Sequence, residues 1–308
     1  MKIKLSFIIT LSVMLSLSSF LRAQDFIPIW ERGNMPNSKG LVLADSIANE
    51  RVYQVATPGV YIFRPSIAEN KKAAVLIIPG GGYARLAYQI SGFQLAKWFN
   101  TMGITAFVLN HRLPQSPDII ESYKAPVQDG QRALKFIRSH AVEWGIDKNK
   151  LGVMGSSAGG HLSVCLSTFD EDWSNVGDSI DSQSYKPNFT LLISPVVTMD
   201  EKYVHKGSRE NLLGKTPSQG LLQQFSCENR VSPQTPPAFI VHAANDKAVS
   251  PVNSILYYTA LLKSGVEKST LHIFPEGGHS IALRNNPGTT NCWPMLAEKW
   301  LEEISIIE

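Results

Sequence analysis

Among its 308 residues the chain has only three cysteines, Cys165, Cys227 and Cys292. None has metal-ligand spacing, so the sequence offers no cysteine-based metal site and no dense disulfide framework. Cys165 falls on a helical apolar face with Leu162 and Phe169 and reads as core packing. Cys227 and Cys292 are left as a pair that an oxidising compartment permits. An excess of charge of one sign is also missing. Lys2, Lys4 and Arg22 hold three of the 29 basic residues, and no acid precedes Asp25, so the remainder carries 26 of each sign. That balance gives no electrostatic footprint for nucleic acid or an anionic membrane. There are no internal repeats and no low-complexity tract beyond the first residues. No metal or cofactor motif is present.

What is there begins with a leader pattern. Lys2 and Lys4 precede the apolar, serine-studded Leu5–Leu21, and Leu21-Arg22-Ala23 offers a small residue for cleavage before Gln24. Residues 1–23 are therefore expected to be a signal peptide. They are short for a membrane span, and the expected location is secreted or periplasmic, with no membrane association after cleavage. Residues 24–308 are expected to form a single catalytic domain.

Fully apolar runs then alternate with helical spacing. Ala73–Pro79, Ile104–Asn110, Lys150–Met154, Phe189–Ser194, Pro237–Ala243 and Thr270–Phe274 read as strands, mostly buried on both faces. Phe93–Met102, Ala125–Glu143, Ala158–Phe169, Val252–Lys263 and Cys292–Ile304 read as helices. The expected class is α/β, a mostly parallel sheet covered by helices on both faces. Arg51–Val55 and Val60–Arg64 suggest an antiparallel edge. About 198–236 reads as a small insertion over the sheet edge, with one short helix near Gln219–Phe225 and loop elsewhere.

The chemistry gathers at strand ends. Lys150–Leu162 reads K-L-G-V-M-G-S-S-A-G-G-H-L, a strand, a sharp turn and a helix with Ser157 at the apex of G-x-S-x-G. Ser156 lacks the flanking glycines. Serine needs a base, and the base needs a carboxylate to fix its tautomer. His279 in P-E-G-G-H-S follows the last expected strand, and Asp246 in H-A-A-N-D-K-A-V follows the one before it. Asp200 is the runner-up acid. His161, His140, His242 and His272 read as packing residues, and Arg112 beside His111 as half of a structural ion pair. Ala158 follows the nucleophile and Gly81 and Gly82 follow a buried strand, which makes their N–H groups candidates for an oxyanion hole. Tyr83 and His205 are candidate substrate contacts.

Together these stretches resemble the α/β-hydrolase superfamily, and more closely the secreted acetyl xylan or feruloyl esterase-like group. The matching stretches are P-G-G-G-Y at Pro79–Tyr83, G-S-S-A-G-G-H-L at Gly155–Leu162, H-K-G-S-R-E-N-L-L-G at His205–Gly214, Thr235–Val249 and G-G-H at Gly277–His279. Pro79 stands where the related H-G-G-G pattern has histidine. The resemblance implies a cofactor-free serine esterase acting on acylated plant oligo- or polysaccharides, most simply deacetylating xylan or xylo-oligosaccharides. A feruloyl or general short-chain carboxylesterase is the nearest alternative. A serine peptidase or a non-catalytic glycan-binding module stands further off. Oligomeric state is left open.

Overall fold

Strand β5 (Ala74–Ile78) has no exposed residue, and its side chains divide between two cores. Ala74, Leu76 and Ile78 enter one; Val75 and Ile77 enter the other. Side chains alternate across a strand, so a strand covered on both faces must be apolar at every position. That is the physical origin of the run A-A-V-L-I-I-P. The computed structural model describes residues 25–308; the expected leader lies outside them.

The chain runs through β1 (Asp25–Pro28), a separate ribbon of β2 (Ser46–Ala48) and β3 (Arg51–Gln54), then β4 (Gly59–Phe63), β5, α1 (Gln94–Thr101) and β6 (Thr105–Asn110). Next come α2 (Lys124–Ser139), β7 (Leu151–Ser156), α3 (Ala158–Thr168), β8 (Thr190–Ile193), α4 (Lys206–Leu213) and α5 (Gln219–Phe225). β9 (Ala238–Ala243), α6 (Val252–Lys263), β10 (Thr270–Phe274) and α7 (Trp293–Glu303) complete it. The main sheet has eight strands in the order β1-β4-β6-β5-β7-β8-β9-β10. From β6 to β10 every neighbouring pair is parallel, while β4 is antiparallel to both β1 and β6.

Helices cover the two faces. Leu134 and Ile137 of α2, Leu162 and Leu166 of α3, and Tyr257 of α6 share the first core. Phe99 of α1 and Trp293 and Trp300 of α7 share the second. From β5 the chain crosses to β6 on one side, and β7 lies on the other. This reversal opens a crevice at the carboxyl ends of β5 and β7, the usual binding position in such sheets.

Two expectations are corrected, and the pairing left open for Cys227 and Cys292 is answered. Arg51–Val55 does not join the main sheet; β3 pairs with β2, and the antiparallel edge is built by β4 and β1. Thr198–Pro236 is more helical than expected, because α4 precedes α5. Cys227 and Cys292 do not pair. Cys227 is buried with its Sγ 3.4 Å from that of Cys165, whereas Cys292 is exposed. Arg112 does form a buried ion pair: its guanidinium meets Asp129 at 2.8 Å, and Trp30 Nε1 donates to the same carboxylate.

Candidate active site

β7 ends in the turn that carries Ser157. The serine has φ 56° and ψ −121°, a conformation that costs an L-residue on the order of 1–3 kcal/mol. Its backbone is held on both sides. The Ser157 N–H donates to Ile193 O at 3.0 Å, and the carbonyl accepts from His161 and Val196 at 3.1 and 3.0 Å. The turn is tight enough to require glycine. A Cβ on Gly159 would stand 2.1 Å from the Ile78 carbonyl oxygen, and one on Gly155 would stand 2.2 Å from that of Gly159. The G-x-S-x-G spacing is thus a packing rule, pressing the start of α3 against the end of β5.

The serine hydroxyl lies 2.9 Å from His279 Nε2, and His279 Nδ1 lies 2.7 Å from Asp246 Oδ2. The last two strands position both partners. Asp246 sits on the turn after β9, where its other oxygen accepts from the Ala248 and Val249 amides at 2.8 and 3.0 Å. His279 sits on the loop after β10, tied down by the Gly278 N–H donating to Asn245 Oδ1 at 2.8 Å. Burial alone would raise the Asp246 carboxyl. Hydrogen bonds from His242 and His279, with the Val249 amide, outweigh it and hold the carboxyl well below its usual range. An ionised carboxylate on Nδ1 puts the proton there and leaves Nε2 as an acceptor facing Ser157. Asp200 is not at this site. Its carboxylate accepts from the Lys202 amide at 2.8 Å.

The loop after β5 faces the hydroxyl. Gly80 backs onto the elbow and donates its N–H to Ser91 Oγ at 3.1 Å. Gly81 and Gly82 have φ 143° and 66°, and among the described residues their N–H groups have no protein acceptor. The Ala158 N–H opens α3 and has no intrahelical partner. These are the three amides named as oxyanion donors. Asn211, which sequence reasoning missed, reaches from α4 and donates from Nδ2 to the Gly82 carbonyl at 2.8 Å.

The two candidate substrate contacts part company. Tyr83 is buried and does not line the cleft, which corrects the expectation. Its φ of 59° turns the ring inward, where the hydroxyl lies 2.8 Å from His161 Nδ1. His161 Nε2 meets the Phe225 carbonyl at 2.9 Å, so it is a packing residue between α3 and α5. His205 lines the cleft, half-buried, with its Nδ1 at 2.7 Å from Ser208 Oγ. The cleft measures about 430 Å³ and includes Gly81, Gly82, Ser157, His205, Asn211 and His279. His242 is a further residue that sequence reasoning left in the core. It is buried, and its Nε2 lies 3.2 Å from Asp246 Oδ2. The only sequence signal was its position four residues before Asp246.

A hydroxyl, an imidazole and a carboxylate in series, in a cleft shared with the Gly81–Gly82 loop, form a set equipped for acyl transfer. Comparison with known proteins agrees in kind. Residues 60–261 match the BD-FAE family. The chain belongs to the BD-FAE family. The BD-FAE match runs from β4 into α6 and so contains Ser157 and Asp246, with His279 following it. An acetylxylan esterase of Xylanibacter ruminicola is 40% identical over 222 residues, 70% of this chain and 43% of that protein. Endo-1,4-beta-xylanase B of Butyrivibrio fibrisolvens is 34% identical over 219 residues, 70% of this chain and 33% of its own length. The chain thus spans less than half the length of either relative. Among solved structures, an acetyl ester-xyloside bifunctional hydrolase of Caldicellulosiruptor lactoaceticus superposes with a TM-score of 0.78 at 33% identity, covering 92% of this BD-FAE chain and 97% of that one. The fold is that of an α/β-hydrolase.

Proposed function

We propose that the chain is an exported serine esterase that removes acetyl groups from xylan or xylo-oligosaccharides. The observation that carries the reading is the continuous relay from Ser157 Oγ through His279 to Asp246, at 2.9 and 2.7 Å. In this reading Ser157 Oγ bonds to the ester carbonyl carbon while its proton passes to His279 Nε2. The oxyanion is received by the amides of Gly81, Gly82 and Ala158. The tetrahedral intermediate collapses, and the C–O bond to the sugar breaks. The sugar oxygen leaves with the proton from His279. Water then attacks the acyl-enzyme and gives its proton to His279; the bond from the acyl carbon to Ser157 Oγ breaks, His279 returns the proton to that oxygen, and the acid departs as acetate. Asp246 stays ionised and stabilises the imidazolium at each step.

The acetyl preference is supported by the likeness to an acetylxylan esterase and to an acetyl ester-xyloside hydrolase. Export rests on the leader pattern of residues 1–23. A feruloyl esterase is the second reading, favoured by the apolar flank of Ile90, Leu95, Ile193, Ile281 and Leu283 in the cleft. Acetate release from acetylated xylan, set beside rates on methyl ferulate, separates the two. The proposal expects acetate release, with methyl ferulate poor by comparison. A preference for methyl ferulate overturns the acetyl assignment.

A further inference from the structure

The stretch His205–Gly214 is α4 with its cap residues, and nothing in the acyl-transfer steps above uses His205. Its position is unusual. His205 is the N-cap of α4, where Ser, Thr, Asp or Asn is the ordinary choice. A residue that departs from local preference points to a second task.

The cap fixes the ring chemically. The Ser208 N–H donates to His205 Nδ1 at 3.2 Å, and Ser208 Oγ lies 2.7 Å from the same nitrogen. A nitrogen that accepts from a backbone amide carries no proton, so in the neutral ring the proton is on Nε2. Among the described residues Nε2 has no protein partner. The ring lies at the cleft wall beside the oxyanion loop; a Cβ on Gly82 would stand 3.9 Å from its Cε1. Burial, then the neighbouring His279, lowers the His205 pKa against the opposing pull of Asp246. A neutral donor here sets no charge against the imidazolium that forms on His279.

The substrate part that meets this N–H follows by elimination. An acetyl group has one polar atom, its carbonyl oxygen, and the amides of Gly81, Gly82 and Ala158 face that atom. Any further acceptor belongs to the alcohol. Resting on the esterase reading above, we propose that His205 Nε2–H binds an oxygen of the departing sugar, a hydroxyl or ring oxygen beside the ester. It is thereby the residue through which the enzyme recognises a carbohydrate alcohol.

Two measurements test this. Nitrogen-15 spectra of the imidazoles in the wild-type protein read the tautomer directly, and His205 is expected with its proton on Nε2; a proton on Nδ1 overturns the proposal. His205→Asn retains a good cap but withdraws the ring, and His205→Ala is its companion if the first does not fold. The readout is kcat/KM for an acetylated xylotriose divided by kcat/KM for p-nitrophenyl acetate, whose alcohol is a flat phenol. Loss of one substrate hydrogen bond lowers that ratio by about tenfold. An unchanged ratio, or both rates falling together, overturns this inference alone. A wild-type protein that hydrolyses p-nitrophenyl acetate but leaves acetylated xylotriose untouched overturns the sugar-ester reading and this inference with it.

Discussion

His242 and His279 share one oxygen of Asp246. His279 Nδ1 lies 2.7 Å and His242 Nε2 3.2 Å from Oδ2, while the Ala248 and Val249 amides hold Oδ1. His242 Nε2 also faces the Val249 carbonyl at 3.1 Å, so two acceptors converge on it and it donates. Its other nitrogen, 2.7 Å from Ser254 Oγ, accepts from that hydroxyl. Besides His279, three donors therefore hold the carboxylate: His242 and the Ala248 and Val249 amides.

Replacing His242 by Phe removes one of these donors and leaves the Ser254 hydroxyl without its partner. Activity is expected to fall about five- to tenfold in kcat, with KM changed less than twofold. Steady-state kinetics on p-nitrophenyl acetate check it. A loss seen only in KM would place His242 in substrate binding instead.

Asp246 also links stability to pH. Its folded carboxyl titrates below the unfolded value of about 3.9. Between the two values the unfolded chain binds more protons, so stability rises with pH there. The contribution is complete above the unfolded value and is lost as pH falls through the folded one. The difference in Tm between wild type and Asp246→Asn is therefore expected to shrink from pH 5 toward pH 2. A constant difference would mean the carboxylate is not specially stabilised.

Asn211 holds the Gly82 carbonyl from α4 at 2.8 Å. Asn211→Leu keeps the bulk and deletes the donor, freeing the loop that carries two of the three candidate oxyanion amides. The expected loss is about tenfold in kcat with KM nearly constant, because the donors matter most in the transition state. Equal kcat in the variant would show that the loop keeps its shape unaided.

Gly159→Ala places a methyl group 2.1 Å from the Ile78 carbonyl oxygen. Backbone at the end of β5 cannot yield without moving the oxyanion loop. The variant is expected to lose on the order of 1–3 kcal/mol of stability, the cost of overpacking, along with most of its activity. Thermal unfolding and p-nitrophenyl acetate hydrolysis measure the two losses.

Much of this site lies open in the sequence because its pieces sit at the ends of buried strands. Runs such as Ala73–Pro79 and Pro237–Ala243 are apolar at every position because both faces are covered, so their ends are easy to find. Ser157, Asp246 and His279 then follow from strand ends and chain order. What stays hidden depends on contacts remote in sequence. Asn211 is 129 residues from the carbonyl it holds, and Tyr83 meets His161 across 78. β1 is a four-residue edge strand ending in proline, too short to show a period. α4 is eight residues long, starts from a histidine cap and contains Gly207, so local propensity argues against it. Cys227 finds Cys165 only because the segment after α5 packs back on α3.

A hydrolase that releases acetyl groups through Ser157 must carry its reactive hydroxyl there. The most direct measurement combines a fluorophosphonate label with acetate release from acetylated xylan. The Ser157 assignment predicts one label per chain, located on Ser157 by peptide mass spectrometry. Loss of acetate release is expected to track labelling, and both are expected to vanish in folded Ser157→Ala. Label on another residue, or acetate release that survives Ser157→Ala, would contradict it.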